Sequence, residues 1–159
     1  FIAFVNEAWR PYRAELVQIP GTRGYHDRSR HPEGRRIDGI VILRFDAPLF
    51  FANGGMCTDY VRSVVASDPE VTTLILAAEP ITDIDSTAVD DLVELDDYLA
   101  GAGIEFIIAE MKGPVKDRLD RYGLHHRFGP ERFAPTVGAA VDSVLGHERD
   151  DIGNPSDRG

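Results

Sequence analysis

The chain has 159 residues, with 17 lysines and arginines against 27 aspartates and glutamates, for a net charge of −10. That length suits one domain with a sizeable core and is short for a two-domain enzyme. The acidic balance opposes phosphate backbones, so nucleic acid is not an expected partner. A single cysteine, Cys57, excludes an internal disulfide and a thiolate zinc cluster.

In chain order, residues 1–16, FIAFVNEAWRPYRAEL, open on an apolar pentad and carry the only tryptophan. The pentad is too short, and lacks the preceding basic residues, for a secretory signal. This segment reads as cut from something longer and is expected to be mobile. From Arg23 to Arg36 there are five arginines with Pro32 and two glycines. That composition predicts an exposed loop, its arginines solvated or facing anionic lipid headgroups. Residues 47–58 are the longest uncharged stretch, twelve residues interrupted by Pro48, Asn53 and two glycines, too short to cross a bilayer as a helix.

Three apolar, β-branched runs predict strands: GIVILRF at 39–45, VTTLILAA at 71–78 and IEFIIA at 104–109. Between and after them the apolar residues recur at helical spacing. Cys57, Val61, Val64 and Val65 form one stripe, which makes Cys57 a packing residue before it is a nucleophile. Ala88, Leu92, Leu95 and Leu99 form a second, closed by Gly101. Val115, Leu119 and Tyr122 form a third, opened by Gly113-Pro114 and ended by Gly123. Val137, Val141, Val144 and Leu145 form a fourth, ended by Gly146. The last residues, 148–159, are nearly devoid of apolar side chains and are expected to be disordered. Strands alternating with short helices imply an α/β sheet with parallel crossovers, in which the first strand pair can be antiparallel.

The most informative stretch is 81–97, ITDIDSTAVDDLVELDD, with seven acids and no base from Asp83 to Asp97. It sets Asp83, Asp85, Ser86 and Thr87 in a turn between a buried strand and a helix, where free N–H groups and the helix dipole meet whatever binds. A capping box, with Thr87 as N-cap and Asp90 three residues on, is the structural reading. Carrying a phosphate on the same hydroxyl is the functional one. Asp83-Ile84-Asp85-Ser86-Thr87 also matches the D-x-D-x-T pattern of haloacid-dehalogenase-like phosphohydrolases, with Asp83 as nucleophile and Asp85 as acid/base. Against this, Glu79, Pro80, Ile81 and Thr82 separate the motif from its strand. His125-His126 could ligate a metal only with a converging carboxylate, and adjacent histidines usually point apart. The cluster Lys112, Lys116, Arg118, Arg121, Arg127 and Arg132 reads as a solvated face, with anion binding as the alternative. Gly101-Ala102-Gly103 precedes a strand and is no dinucleotide fingerprint, and nucleophile-elbow, zincin and phosphate-loop signatures are missing.

Taken together, RFDAPLFFAN (44–53), TDIDSTA (82–88) and KGPV (112–115), with IPGT (19–22) and YHD (25–27) before them, resemble the STAS domain, in the branch found at the cytoplasmic end of SulP-family anion transporters. The resemblance implies an α/β STAS fold: a mixed sheet of four to five strands with about four helices mainly on one face. It implies a linker at 1–14, the domain at 15–147 and a tail at 148–159. It implies a non-enzymatic regulatory role at the cytoplasmic face of the cell membrane, without a cofactor. The expected partner is the transmembrane domain of the same transporter, with a regulatory protein or kinase beside it; nucleotide binding, reported for some members of the wider family, is the further partner the resemblance allows, without a phosphate loop to support it. In the small anti-sigma-factor antagonists of the wider family a D-S-S-G turn is phosphorylated. It aligns with Asp85-Ser86-Thr87-Ala88, placing the phosphorylated position on Thr87 beside Ser86, with threonine for serine and Ala88 for glycine. A free-standing antagonist is therefore the alternative function.

Overall fold

The computed structural model describes residues 13–19, 24–45 and 54–152. Six strands form one mixed sheet: β1 (Arg13–Gln18), β2 (Tyr25–Asp27), β3 (Ile40–Phe45), β4 (Thr73–Ala77), β5 (Glu105–Ala109) and β6 (Phe133–Ala134), in the order β2-β1-β3-β4-β5-β6. The pairs from β3 to β6 are parallel, while β1 is antiparallel to both β2 and β3. Four helices accompany them: α1 (Gly54–Ser67), α2 (Ser86–Gly101), α3 (Gly113–Arg121) and α4 (Val137–Ile152). Among the described residues no helix is long and apolar enough to cross a membrane.

Side-chain alternation along the strands divides the core in two. Val41, Leu43, Leu74, Leu76, Phe106 and Ile108 face one way and pack with Val61 of α1, Leu92 and Leu99 of α2 and Val115 and Leu119 of α3. Ile42, Ile75, Ala77, Ile107 and Ala109 face the other way, against Val137, Ala140, Val141 and Val144 of α4. Three helices on one face and one on the other is the layering expected from the resemblance, but the sheet has six strands where four or five were expected.

The differences from the sequence reading lie mostly outside the apolar runs. Residues 13–16, expected to be mobile, belong to β1, which is paired on both sides. Residues 1–12 lie outside the described residues. The arginine-rich segment, expected to be a solvated loop, contains β2 and a strap that folds back onto β1 through an isolated bridge between Gln18 and Arg35. Gly34 is required there, because a Cβ would come within 2.2 Å of the Val17 side chain. Tyr122 is 44 % exposed and does not continue the α3 stripe into the core. Ala102 caps α2 in a right-handed conformation, so the reversal falls on Gly103 at φ +71° and not on Gly101. Helix α4 runs through Gly146 to Ile152, past the expected stop and into the expected tail, whose residues 153–159 lie outside the description. The side chain of Cys57 lies outside it too.

One buried acid organises the strap. Glu15 in β1 is 9 % exposed and accepts hydrogen bonds from Arg28 Nη1 (3.2 Å) and from both Arg36 Nε and Arg36 Nη2 (the latter 3.0 Å). Arg36 also reaches Asp68, just beyond α1, at 3.2 Å. A carboxylate taken out of water needs such partners, and removing its charge leaves two guanidinium groups without their shared acceptor. Glu15→Gln is expected to lower stability by about 2 kcal/mol, read by urea denaturation with far-UV circular dichroism. An unchanged midpoint would mean that the arginines are as well satisfied by water.

Candidate functional site

Strand β4 ends at Ala77, and the chain leaves the sheet at the edge where β3 and β5 also end. Ala78 is still tied to Ala109 through a 2.8 Å backbone bond, and a turn closes from Ala78 O to Ile81 N at 3.0 Å. Ile81 and Ile84 are both buried, at 1 % exposure. They pin the connection like two pegs, so that Thr82 and Asp83 between them, and Asp85, Ser86 and Thr87 after them, face solvent. The structure thus brings all four predicted site residues to one exposed turn.

The N-cap is Asp85, not Thr87. Asp85 has extended backbone (φ −100°, ψ 178°), its Oδ1 accepts from Ala88 N at 2.8 Å, and its carbonyl accepts the first helical bond from Val89 at 3.0 Å. A carboxylate with this spacing satisfies an N–H of the first turn and meets the positive end of the helix dipole, so it displaces the threonine as cap. Ser86 and Thr87 are exposed in the first turn of α2, and neither hydroxyl takes part in a hydrogen bond among the described residues. They are free for other chemistry.

Asp83 accepts from the N–H of Ile84 at 2.8 Å and from Arg118 Nη1, which also approaches the Ile84 carbonyl at 3.4 Å. Arg118 lies on α3, 35 residues away. A second tie runs from Lys112 Nζ to the Glu79 carbonyl, with the Glu79 carboxylate at 4.0 Å. The connection after β4 is therefore tied to the stretch that begins at KGPV, Glu79 to Lys112 and Asp83 to Arg118. Nothing in the sequence pointed to the Arg118–Asp83 pair beyond opposite charge. With Asp83 67 % and Arg118 42 % exposed, the pair contributes at most about 1 kcal/mol and can exchange partners. In this arrangement Asp83 is ion-paired and Asp85 is a cap, so neither carboxylate of the D-x-D pattern stands unengaged.

Of the basic cluster, Arg121 is exposed as expected, but other members are engaged. Arg127 and Arg132 grip the buried Asp96 of α2, Arg127 at 2.9 Å, and Arg127 also reaches Asp97 at 2.6 Å. Arg132 further donates to the Phe106 carbonyl at 2.8 Å. His125 and His126 do not point apart; their ring centroids lie 4.0 Å from one another. Among the described residues no group of three or more histidine, cysteine or acidic side chains is arranged to hold a metal ion.

These pairings use up much of the acid on α2 and leave Asp91 exceptional. Its Oδ2 is buried without a partner among the described residues. Burial first, then the nearby Glu94, Asp90 and Asp85, push its carboxyl above the usual range. A carboxyl raised in the folded chain contributes stability in its protonated form, and that contribution is lost as pH climbs through the raised value. Asp91→Asn should therefore raise the melting temperature at pH ~7 and lose that gain near pH ~2.5, where the carboxyl is protonated in the unfolded chain as well. Melting curves at the two pH values check this, and an equal gain at both would refute it.

The family model described as STAS domain matches residues 31–140. A protein named "Probable sulfate transporter" from Mycobacterium tuberculosis is 34 % identical over 134 residues, covering 84 % of this chain and 24 % of its own length. The chain thus spans about a quarter of that relative. Among solved structures, the murine solute carrier 26 family member A9 anion transporter, in its inward-facing state, superposes with a TM-score of 0.75 at 18 % identity, over 91 % of this chain and 24 % of that one. The STAS domain of a SulP transporter from Vibrio cholerae superposes with a TM-score of 0.62 at 20 % identity, over 77 % of this chain and 93 % of that one. Matched by the family model over most of its length and folded as these domains are, this chain belongs to the STAS domain family.

Proposed function

We propose that this chain is the cytoplasmic regulatory STAS domain of a SulP-type sulfate or related anion transporter, and that its 83–87 turn couples a cytoplasmic signal or partner to transport. The carrying observation is the turn itself: two exposed, unused hydroxyls at the start of a 16-residue helix, next to an arginine held by an exchangeable ion pair. The family match and the sulfate transporter relative, of which this chain spans about a quarter, support the larger setting. The partner is then the transmembrane domain of the same transporter, and the domain works at the cytoplasmic face of the membrane.

The chemistry of a switch follows from the charges. A phosphate on Thr87, or on Ser86, adds nearly two negative charges where the helix dipole favours them and Asp83, Asp85 and Asp90 oppose them. Arg118 is the cation within reach of this turn, and a phosphate is a stronger acceptor for it than a carboxylate already shared with a backbone N–H. Modification would then draw Arg118 from Asp83 and loosen the tie between α3 and the turn, leaving the Lys112–Glu79 tie beside it. The free-standing anti-sigma-factor antagonist remains the second reading, and it rests on the shared turn alone.

The test is anion uptake by cells carrying the intact transporter with Thr87→Ala, Thr87→Glu, Ser86→Ala and Arg118→Ala, expression matched. Thr87→Glu is expected to change uptake while the domain still melts within a few degrees of wild type, since the cap is Asp85 and a first-turn glutamate is tolerated. Arg118→Ala should blunt the effect of Thr87→Glu when the two are combined. Unchanged uptake in every variant, with partner binding also unchanged, would reduce the turn to a capping device.

A further inference from the structure

On the α4 side of the sheet lies a cavity of about 760 Å³ that the regulatory turn does not touch. Leu16 and Ala77 give it apolar wall, while Gln18, Tyr25, Arg44, Glu110, Thr136 and Asp142 bring polar groups to it. A concave site of this size with a few convergent polar groups is the usual form of a small-molecule site.

Arg44 is the cationic side chain on that wall. It is half-buried near the end of β3, and among the described residues no hydrogen bond or ion pair engages its guanidinium. Glu110 follows the last residue of β5 with φ +62°, the one positive value at a non-glycine position among the described residues, and its N–H is fixed to the Ala134 carbonyl at 3.0 Å. Such backbone is costly for a residue with a Cβ and persists where surrounding structure imposes it, often at functional sites. The Glu110 and Asp142 carboxylates also lack hydrogen-bond and ion-pair partners among the described residues. The Tyr25 hydroxyl is held in its neutral form, by burial and then by Asp142, so it remains a donor. Glu79, at the rim, has Lys112 beside it at 4.0 Å.

Among the described residues the balance is therefore one uncompensated cation, Arg44, against two uncompensated carboxylates, Glu110 and Asp142. An inorganic oxyanion would meet both carboxylates, the half-buried Glu110 and the exposed Asp142, and a simple diamine would meet the half-buried guanidinium; at Arg44 and Glu110 charge is screened less than in bulk water. The complementary ligand carries one acid and two ammonium groups. We propose that this cavity binds a dibasic amino acid, its carboxylate on Arg44 and its two ammonium groups on Glu110 and Asp142. Gln18 and the Thr136 hydroxyl supply neutral hydrogen bonds around it. The inference stands independently of the transporter reading.

The test is titration calorimetry of the 159-residue chain with L-lysine, cadaverine and L-norleucine. Cadaverine is lysine without the carboxylate, and norleucine is lysine without the side-chain ammonium. Lysine is expected to bind at least about tenfold more tightly than either. Arg44→Gln should erase the preference for lysine over cadaverine, whereas Glu110→Gln should weaken lysine and keep that preference. No lysine binding up to about 10 mM, equal binding of cadaverine, or a preference retained in folded Arg44→Gln would overturn the proposal. Should Arg44→Gln fail to fold, as judged by circular dichroism, the wild-type contrast between lysine and cadaverine decides alone.

Discussion

Strand β4 is buried along its whole length, and the placement of the other elements follows from it. Leu74 and Leu76 must be covered on one face, Thr73, Ile75 and Ala77 on the other, and neither layer of helix can be omitted. Two parallel neighbours, β3 and β5, close its backbone hydrogen bonds, which requires long crossovers and therefore helices. Because β3, β4 and β5 run the same way, their carboxyl ends share one side of the sheet. The 83–87 turn after β4 and the start of α3 after β5 are neighbours for that reason, and so are Arg44 and Glu110.

Charge does different work at different depths in this molecule. Glu15 and Asp96 are buried acids, each held by two arginines from distant segments. Glu15 fastens the strap to β1, and Asp96 fastens the segment before β6 to α2. Losing either acceptor would strand guanidinium groups in partly desolvated surroundings, so these clamps belong to the fold. The Arg118–Asp83 pair has the same chemistry in water, where it is screened and weak.

The parts legible in the sequence were those specified by local pattern. The runs at 39–45, 71–78 and 104–109 became β3, β4 and β5 with ends trimmed by one or two residues, and Leu92, Leu95, Leu99, Val115 and Leu119 lie in the core where helical spacing put them. What escaped was specified by partners far along the chain. Arg13–Gln18 alternates too weakly to announce a strand and is one because β3 and β2 flank it. Phe133–Ala134 is two residues long and is a strand only because β5 has a free edge. At the site, the exposed 83–87 turn was visible because acids and hydroxyls follow an apolar strand, while the cap moved from Thr87 to Asp85 because both residues have the right chemistry and backbone geometry decides between them. The ion pair to Arg118 and the left-handed Glu110 had no local signature.

The position of β1 has a mechanical consequence. It is an interior strand, hydrogen-bonded to β2 on one side and β3 on the other, and it carries the Glu15 clamp. An edge strand pulled along its axis shears a single ladder. An interior strand pulled along its axis must shear two ladders together and drag the arginine strap with it. Tension applied at Arg13 is thus delivered to β3, and through β3 to the centre of the sheet, making the hairpin a stiff coupling between the start of the domain and its core.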